Sequence, residues 1–193
     1  MTITIGCEYA SGGEQIGKKV AEILGIEYYD RDLVDRVVEK THVDRNLVEQ
    51  ADQKNNVKFQ FETKFGARTA NLSNRVMQIQ FDVIKDFANK SSCVIIGRCG
   101  DYILKDFDDC LHVFIYAPEE VRVETLMKEQ NITKEKAITE VKEHDEMLKT
   151  RYRHMTGTSR GDRRNRNMLI DSSILGFEKT AELIVQFAKL KFE

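Results

Sequence analysis

The chain has one proline, Pro118, and no apolar run close to the roughly 20 residues that a bilayer crossing requires. Its charges nearly cancel, with 30 Lys and Arg against 32 Asp and Glu and a formal net charge of −2. The near-balance removes any whole-molecule reason to expect nucleic acid or an anionic membrane as partner. Cys7, Cys93, Cys99 and Cys110 stand singly in or beside apolar runs, without paired metal-ligand spacing, and Met1 opens no secretory segment. They read as reduced, mostly buried thiols of a cytoplasmic protein. His42, His112, His144 and His154 are dispersed as well, so no metal-ligand set is expected. Cys99 has no histidine near it in sequence to act as general base, which argues against a nucleophilic thiol. Internal repeats, low-complexity tracts and linkers are also missing. A length of 193 residues with 41% hydrophobic content suits one domain spanning 1–193 with a full core.

What the chain does have stands at its start. An apolar strand, Thr2-Ile-Thr-Ile5, runs into Ser11-Gly-Gly-Glu-Gln15 and an amphipathic helix. A glycine-rich turn lets backbone N–H groups converge on an oxyanion, and the helix N-terminus adds about half a positive charge there. The nucleotide-kinase pattern G-x-x-x-x-G-K-S/T follows its second glycine with a lysine that reaches the β and γ phosphates. Here Gly12 is followed by Gly13, Glu14 and Gln15. Lys18 and Lys19 lie over a turn further along and are expected to point away. The layout indicates phosphate, although an ordinary tight turn before a helix would use the same residues.

Periodicity predicts strands at Thr2–Ile5, Ile26–Tyr29, Cys93–Ile96, Leu111–Tyr116 and Met168–Ile170. Helices are predicted from Gly12 to Leu24, over 31–40 and 44–52, from Leu72 to Asn89, from Pro118 to Gln130, from a Thr133 cap to Thr150, and from Gly176 or Phe177 to Lys191. Residues 54–68, with Phe59, Phe61 and Phe65 among charges, are the least regular stretch. Strands too apolar for a wet face, alternating with helices, imply an α/β fold: a doubly wound, five-stranded parallel sheet flanked by helices, with ligands at the carboxyl ends of its strands.

Five segments carry a resemblance across nearly the whole chain: Ile3 to Leu24, Tyr28-Tyr-Asp-Arg-Asp-Leu-Val-Asp-Arg36, Ile95-Ile-Gly-Arg-Cys-Gly-Asp-Tyr-Ile-Leu104, Val113-Phe-Ile-Tyr-Ala-Pro118 and Asp171-Ser-Ser-Ile-Leu-Gly176. They resemble the cytidylate-kinase-like branch of the nucleoside monophosphate kinases. The resemblance implies a P-loop fold, transfer of the ATP γ-phosphoryl group to a pyrimidine nucleoside monophosphate such as CMP, and Mg2+. It also implies a helical monophosphate-binding region over about 31–90 and an arginine-bearing lid over about 149–166. The branch carries Ser-Gly-Gly in place of Gly-Lys, so positive charge must come from elsewhere.

On that resemblance, the loop Ser11, Gly12, Gly13, Glu14 and Gln15 would hold donor phosphates. Arg36 falls on the family's acceptor arginine, and Asp30 would hold magnesium through water or orient Arg36. Arg98 ends an apolar strand at the crevice where α/β sheets take ligands and would grip the acceptor, with Asp101 three residues on to steady it. Surface ion pairs would account for the Asp30–Arg36 run equally well. The basic run from Lys149 to Arg166 matches the lid in position, with Gly157 and Gly161 as hinges and Arg151, Arg153 and Arg160 assigned as a group to the transferring phosphoryl group. Tyr152, Thr156, Gly157 and Arg122 agree with the branch. Leu148, Arg151 and Thr125 depart from it, Leu148 and Thr125 standing where arginines are expected.

The expected partner is therefore a small-molecule nucleotide, with no membrane, RNA disfavoured despite the basic run, and self-association open through the aromatic cluster. Two function classes stand: a nucleoside monophosphate kinase, and a nucleotide-binding regulatory module of the same fold without turnover. A related kinase with a non-nucleotide acceptor is the third.

Overall fold

The structure is a computed structural model that describes residues 1–30 and 66–192, residues 66–76 by backbone alone. The helices expected over 31–40 and 44–52, the three phenylalanines and Arg36 fall outside the described residues.

β1 (Thr2–Cys7) is the central strand because it has a fully apolar face, Ile3 and Ile5. It is paired in parallel on both sides, by β3 (Cys93–Ile96) and β4 (Cys110–Tyr116). β2 (Glu27–Tyr29) adds outside β3, and β5 (Met168–Asp171) outside β4. The order is β2-β3-β1-β4-β5 with every pair parallel, so all five carboxyl ends share one edge. The five expected strands are present, each shifted by no more than two residues at either end.

One face is closed by α1 (Gly13–Leu24) and α6 (Ser172–Phe192). Ile16, Val20, Ala181, Ile184 and Ala188 from these helices pack on Ile3, Ile5, Val113 and Ile115 in the main core. The other face takes α2 (Gly66–Lys90) and the short α3 (Gly100–Ile103) through Val83, Ile84, Phe87, Ile103 and Leu104. A third cluster, Val123, Leu126, Ala137 and Val141, joins α4 (Glu119–Gln130) to α5 (Lys134–Thr156).

Three helices differ from the sequence reading. α5 runs six residues past Thr150, because Tyr152 and Thr156 continue the buried stripe of Val141 and Asp145. It stops at Gly157, whose φ of 71° makes a left-handed cap. The first part of the basic run is therefore helical. α2 begins at Gly66, six residues before the expected start. α6 contains a non-helical Gly176 (φ 73°, ψ 172°), so its first turn, Ser172–Leu175, precedes the predicted start. That turn is anchored by Ser172, whose hydroxyl donates to the Ser11 carbonyl at 2.8 Å and the Tyr116 carbonyl at 3.3 Å.

Candidate active site

The carboxyl edge opens into a cavity of about 670 Å³. That volume is ordinary for a small-molecule site. Its floor is the loop after β1. Gly12 takes φ 83°, and a Cβ there would come within 2.3 Å of the Phe177 ring; a Cβ on Gly13 would meet Cys7 Sγ at 2.4 Å. The paired glycines are thus needed for the loop to lie flat against β1 and α6. The N-cap of α1 is Gly12, which has no side chain to cap the helix, so among the described residues its first amides are left to the cavity.

Of the residues singled out in the loop, Gly12, Gly13, Glu14 and Gln15 line the cavity and Ser11 does not. The Ser11 side chain is a correction to the expected phosphate contact. It is buried, and its hydroxyl donates to the carbonyls of Glu8 (2.8 Å) and Ile115 (3.3 Å), which tightens the bend. Glu14 is paired with Lys18 at 2.7 Å, and Gln15 donates to Glu129 of α4 at 2.8 Å. Lys19 pairs with Glu22 and Glu178, whereas Lys18, also expected to point away from the loop, reaches back to Glu14.

Asp30 after β2 and Arg98 after β3 line the same cavity. Gly97, Arg98 and Cys99 all have positive φ (63°, 52° and 55°), a sharp turn out of the sheet that leads into α3. Loop amides and Arg98 therefore face a shared space. Arg151 and Arg160 reach it as well, whereas Arg153 is exposed on α5 and is absent from the lining. Helical geometry separates them: two residues along a helix turn the side chain by about 200°, so Arg151 and Arg153 cannot share a face. Arg160 donates to the Cys7 carbonyl, and its guanidinium lies 5.6 Å from the Phe114 ring centroid. Burial pushes its pKa down.

Asp101 is buried, but the partner expected from the sequence is not the one recorded. Its carboxylate pairs with Arg166 and accepts from the Tyr152 hydroxyl at 2.5 Å. Burial, with Asp101 next, pushes the Tyr152 pKa up to about 12, so the phenol stays a donor. Sequence alone gives Arg166 no role beyond closing a basic run, and its place two residues ahead of β5 is the signal that sets it apart. Cys99 is raised to about 12 by burial, in line with an unreactive thiol.

Arg122 agrees with the branch by register but does not line the cavity. It donates to Asp145 (2.6 Å) and to the carbonyls of Ala117 (3.0 Å) and Tyr9 (3.1 Å), and lies 3.4 Å from Glu8. Asp145 in turn accepts from the Tyr9 amide at 3.1 Å. The Tyr9 ring stacks on His144 at 4.1 Å between centroids. These contacts lock the loop to α4 and α5. Leu148 lines the cavity with an apolar side chain.

A glycine-turned loop at the N-terminus of a helix, leading from the central strand of an all-parallel 2-3-1-4-5 sheet, defines a P-loop kinase-type protein. Its fold is that of a solved protein from Eubacterium ventriosum (TM-score 0.74, 22% identity, 98% of each chain). It is shared by the shikimate kinases of Bacteroides thetaiotaomicron (0.58, 12%, 98% of each chain) and Acinetobacter baumannii (0.52, 15%, 99% of this chain and 94% of that one). The chain belongs to the Cytidylate kinase-like family, whose model matches residues 2–174. It is also similar to a cytidylate kinase of Pyrococcus horikoshii, with 24% identity over 173 residues, 90% of this chain and 80% of that one.

Among the described residues, no three His, Cys, Asp or Glu are grouped to hold a metal ion, and no helix is long and apolar enough to cross a membrane. Magnesium that arrives with a nucleotide needs no such cage, since phosphates and water supply most of its ligands. The uncapped amides, the arginines and Asp30 fit a magnesium nucleotide.

Proposed function

We propose that this chain transfers the γ-phosphoryl group of ATP to a nucleoside monophosphate, CMP or another pyrimidine nucleotide. The observation that carries the reading is the single cavity into which Gly12, Gly13, Arg98, Arg151 and Arg160 open from four separate segments. Family membership supports it.

The amides at Gly12, Gly13 and the first turn of α1 bind the donor's phosphates. Arg98, with Arg36 from outside the described residues, holds the acceptor's phosphate. One acceptor oxygen bonds to the γ-phosphorus as the bond to the ADP oxygen breaks, with no covalent enzyme intermediate. Arg151 and Arg160 neutralise charge on the transferring group, in place of the P-loop lysine. Magnesium arriving with the donor would be held by Asp30 through water and would neutralise charge on the phosphoryl oxygens. The segment after Gly157 closes as a lid and excludes water.

The second reading is a nucleotide-binding regulatory module without turnover. It is favoured by the missing lysine and by Leu148 on the cavity wall. A coupled assay with ATP, magnesium and each nucleoside monophosphate in turn separates the two. The kinase reading expects turnover with one pyrimidine acceptor, reduced about 10²- to 10³-fold by Arg98→Ala, the typical cost of one preorganised donor. Nucleotide binding without turnover for any acceptor would establish the module instead.

A further inference from the structure

Behind the arginines already given roles, the cavity wall contains a buried ion pair that the proposed reaction leaves unused. The Arg166 side chain is 1% exposed and that of Asp101 5%. One carboxylate oxygen, Oδ2, serves both Arg166 and the Tyr152 hydroxyl. Arg166 further donates to the Asn165 carbonyl at 3.2 Å and to the Tyr152 oxygen at 3.4 Å, and its guanidinium sits 5.6 Å from the centroids of both Phe114 and Tyr152. Its Nε is buried and has no hydrogen-bond partner among the described residues. A buried donor of a charged group left unmet is expensive enough to call for an explanation.

The surrounding charges narrow that explanation. Arg160 lies over the same Phe114 ring, also at 5.6 Å. The carboxylates of Glu8 and Asp145 are taken by Arg122. Asp101 is thus the carboxylate that Arg166 binds directly among the described residues, while Glu8 and Asp145 act on Arg160 only through space. A guanidinium presents planar paired donors, and a tetrahedral phosphoryl group accepts them in that geometry.

We propose that Arg166 is a phosphoryl-binding residue, and that Asp101 occupies it until a ligand's phosphoryl oxygen takes the carboxylate's place. This deepens the kinase reading and rests on it only for the ligand being a nucleotide. Asp101 and the phosphoryl group compete for one cation, which predicts opposite effects from removing each partner.

The test is calorimetric titration of the intact chain with inorganic phosphate, CMP and ADP. The variants are Arg166→Gln, Arg166→Lys, Asp101→Asn, the double variant Arg166→Gln/Asp101→Asn, and Arg163→Gln as an exposed control for the change in net charge. Asp101→Asn should bind at least one probe several-fold more tightly, and Arg166→Gln about tenfold or more weakly, the loss of one charge-assisted contact. Arg166→Lys should recover part of that loss, and Arg163→Gln should leave binding unchanged. The proposal is overturned if Asp101→Asn fails to tighten binding, or if Arg166→Gln stays within twofold of wild type. Should Arg166→Gln not fold, the double variant decides, because it buries no lone charge: tenfold weaker binding supports the proposal and binding within twofold overturns it. Inorganic phosphate against CMP and ADP tells a free oxyanion from a nucleotide. Arg166-dependent binding of phosphate with neither nucleotide bound sinks the kinase reading alone. Nucleotide binding indifferent to Arg166 sinks this proposal alone, and a wild-type chain that binds none of the three overturns both.

Discussion

Gly12 holds a left-handed backbone directly against an aromatic ring, so it offers no room for even one methyl group. Gly12→Ala should lower unfolding stability by about 1–3 kcal/mol, the usual cost of a strained backbone well, and should also weaken nucleotide binding by moving the loop amides. Urea unfolding and a nucleotide titration check the two effects. His112 makes a different kind of prediction. Its Nδ1 lies 2.8 Å from the Thr4 hydroxyl, and burial holds its pKa below the usual histidine value of 6.5. Above that pH, folded and unfolded chains both carry it neutral. As pH falls through 6.5 the unfolded state takes up a proton that the folded state resists, so stability drops with acidity. Urea midpoints at pH 7.5, 6.5 and 5.5 should decline, and His112→Gln should flatten the decline while lowering stability at pH 7.5.

The elements that shape the cavity depend on polar clasps as much as on apolar faces. Arg122 on α4 fastens the loop after β1 to Asp145 on α5. Arg122→Ala leaves a largely buried carboxylate unpaired and should cost about 3–5 kcal/mol, whereas Arg122→Met with Asp145→Leu removes both charges and should recover most of it. Thermal unfolding of the two variants distinguishes a clasp from a passive contact. The strands and the cap at Thr133 were readable because apolar runs and cap chemistry are local. The end of α5 was not, because Tyr152 is buried by partners distant in sequence, Asp101 on α3 and Arg166 ahead of β5.

For the molecule as a whole, a ligand bound by loop amides and arginines from distant segments should stabilise the native state by mass action. At about 100 times its dissociation constant, ADP should add about 2.7 kcal/mol. For a chain of this size that raises Tm by about 2–4 °C for each kcal/mol. Scanning calorimetry with and without ADP checks it, and Arg98→Ala should shrink the shift for the acceptor nucleotide more than for ADP. No shift with any nucleotide would contradict the site.

The order of residues alone sufficed for the alternation of strands and helices, the glycine loop and the Gly97-Arg98 turn, since each is written in a stretch of a few neighbours. Partner choice was another matter. Asp101 and Arg98 are three positions apart, yet the buried carboxylate went to Arg166, 65 residues downstream of it, because α3 packs back over β1 and meets the segment that leads into β5. Likewise Ser11 turned inward and Arg153 outward. Burial and through-space charge are set by which elements pack together, and linear spacing does not encode that.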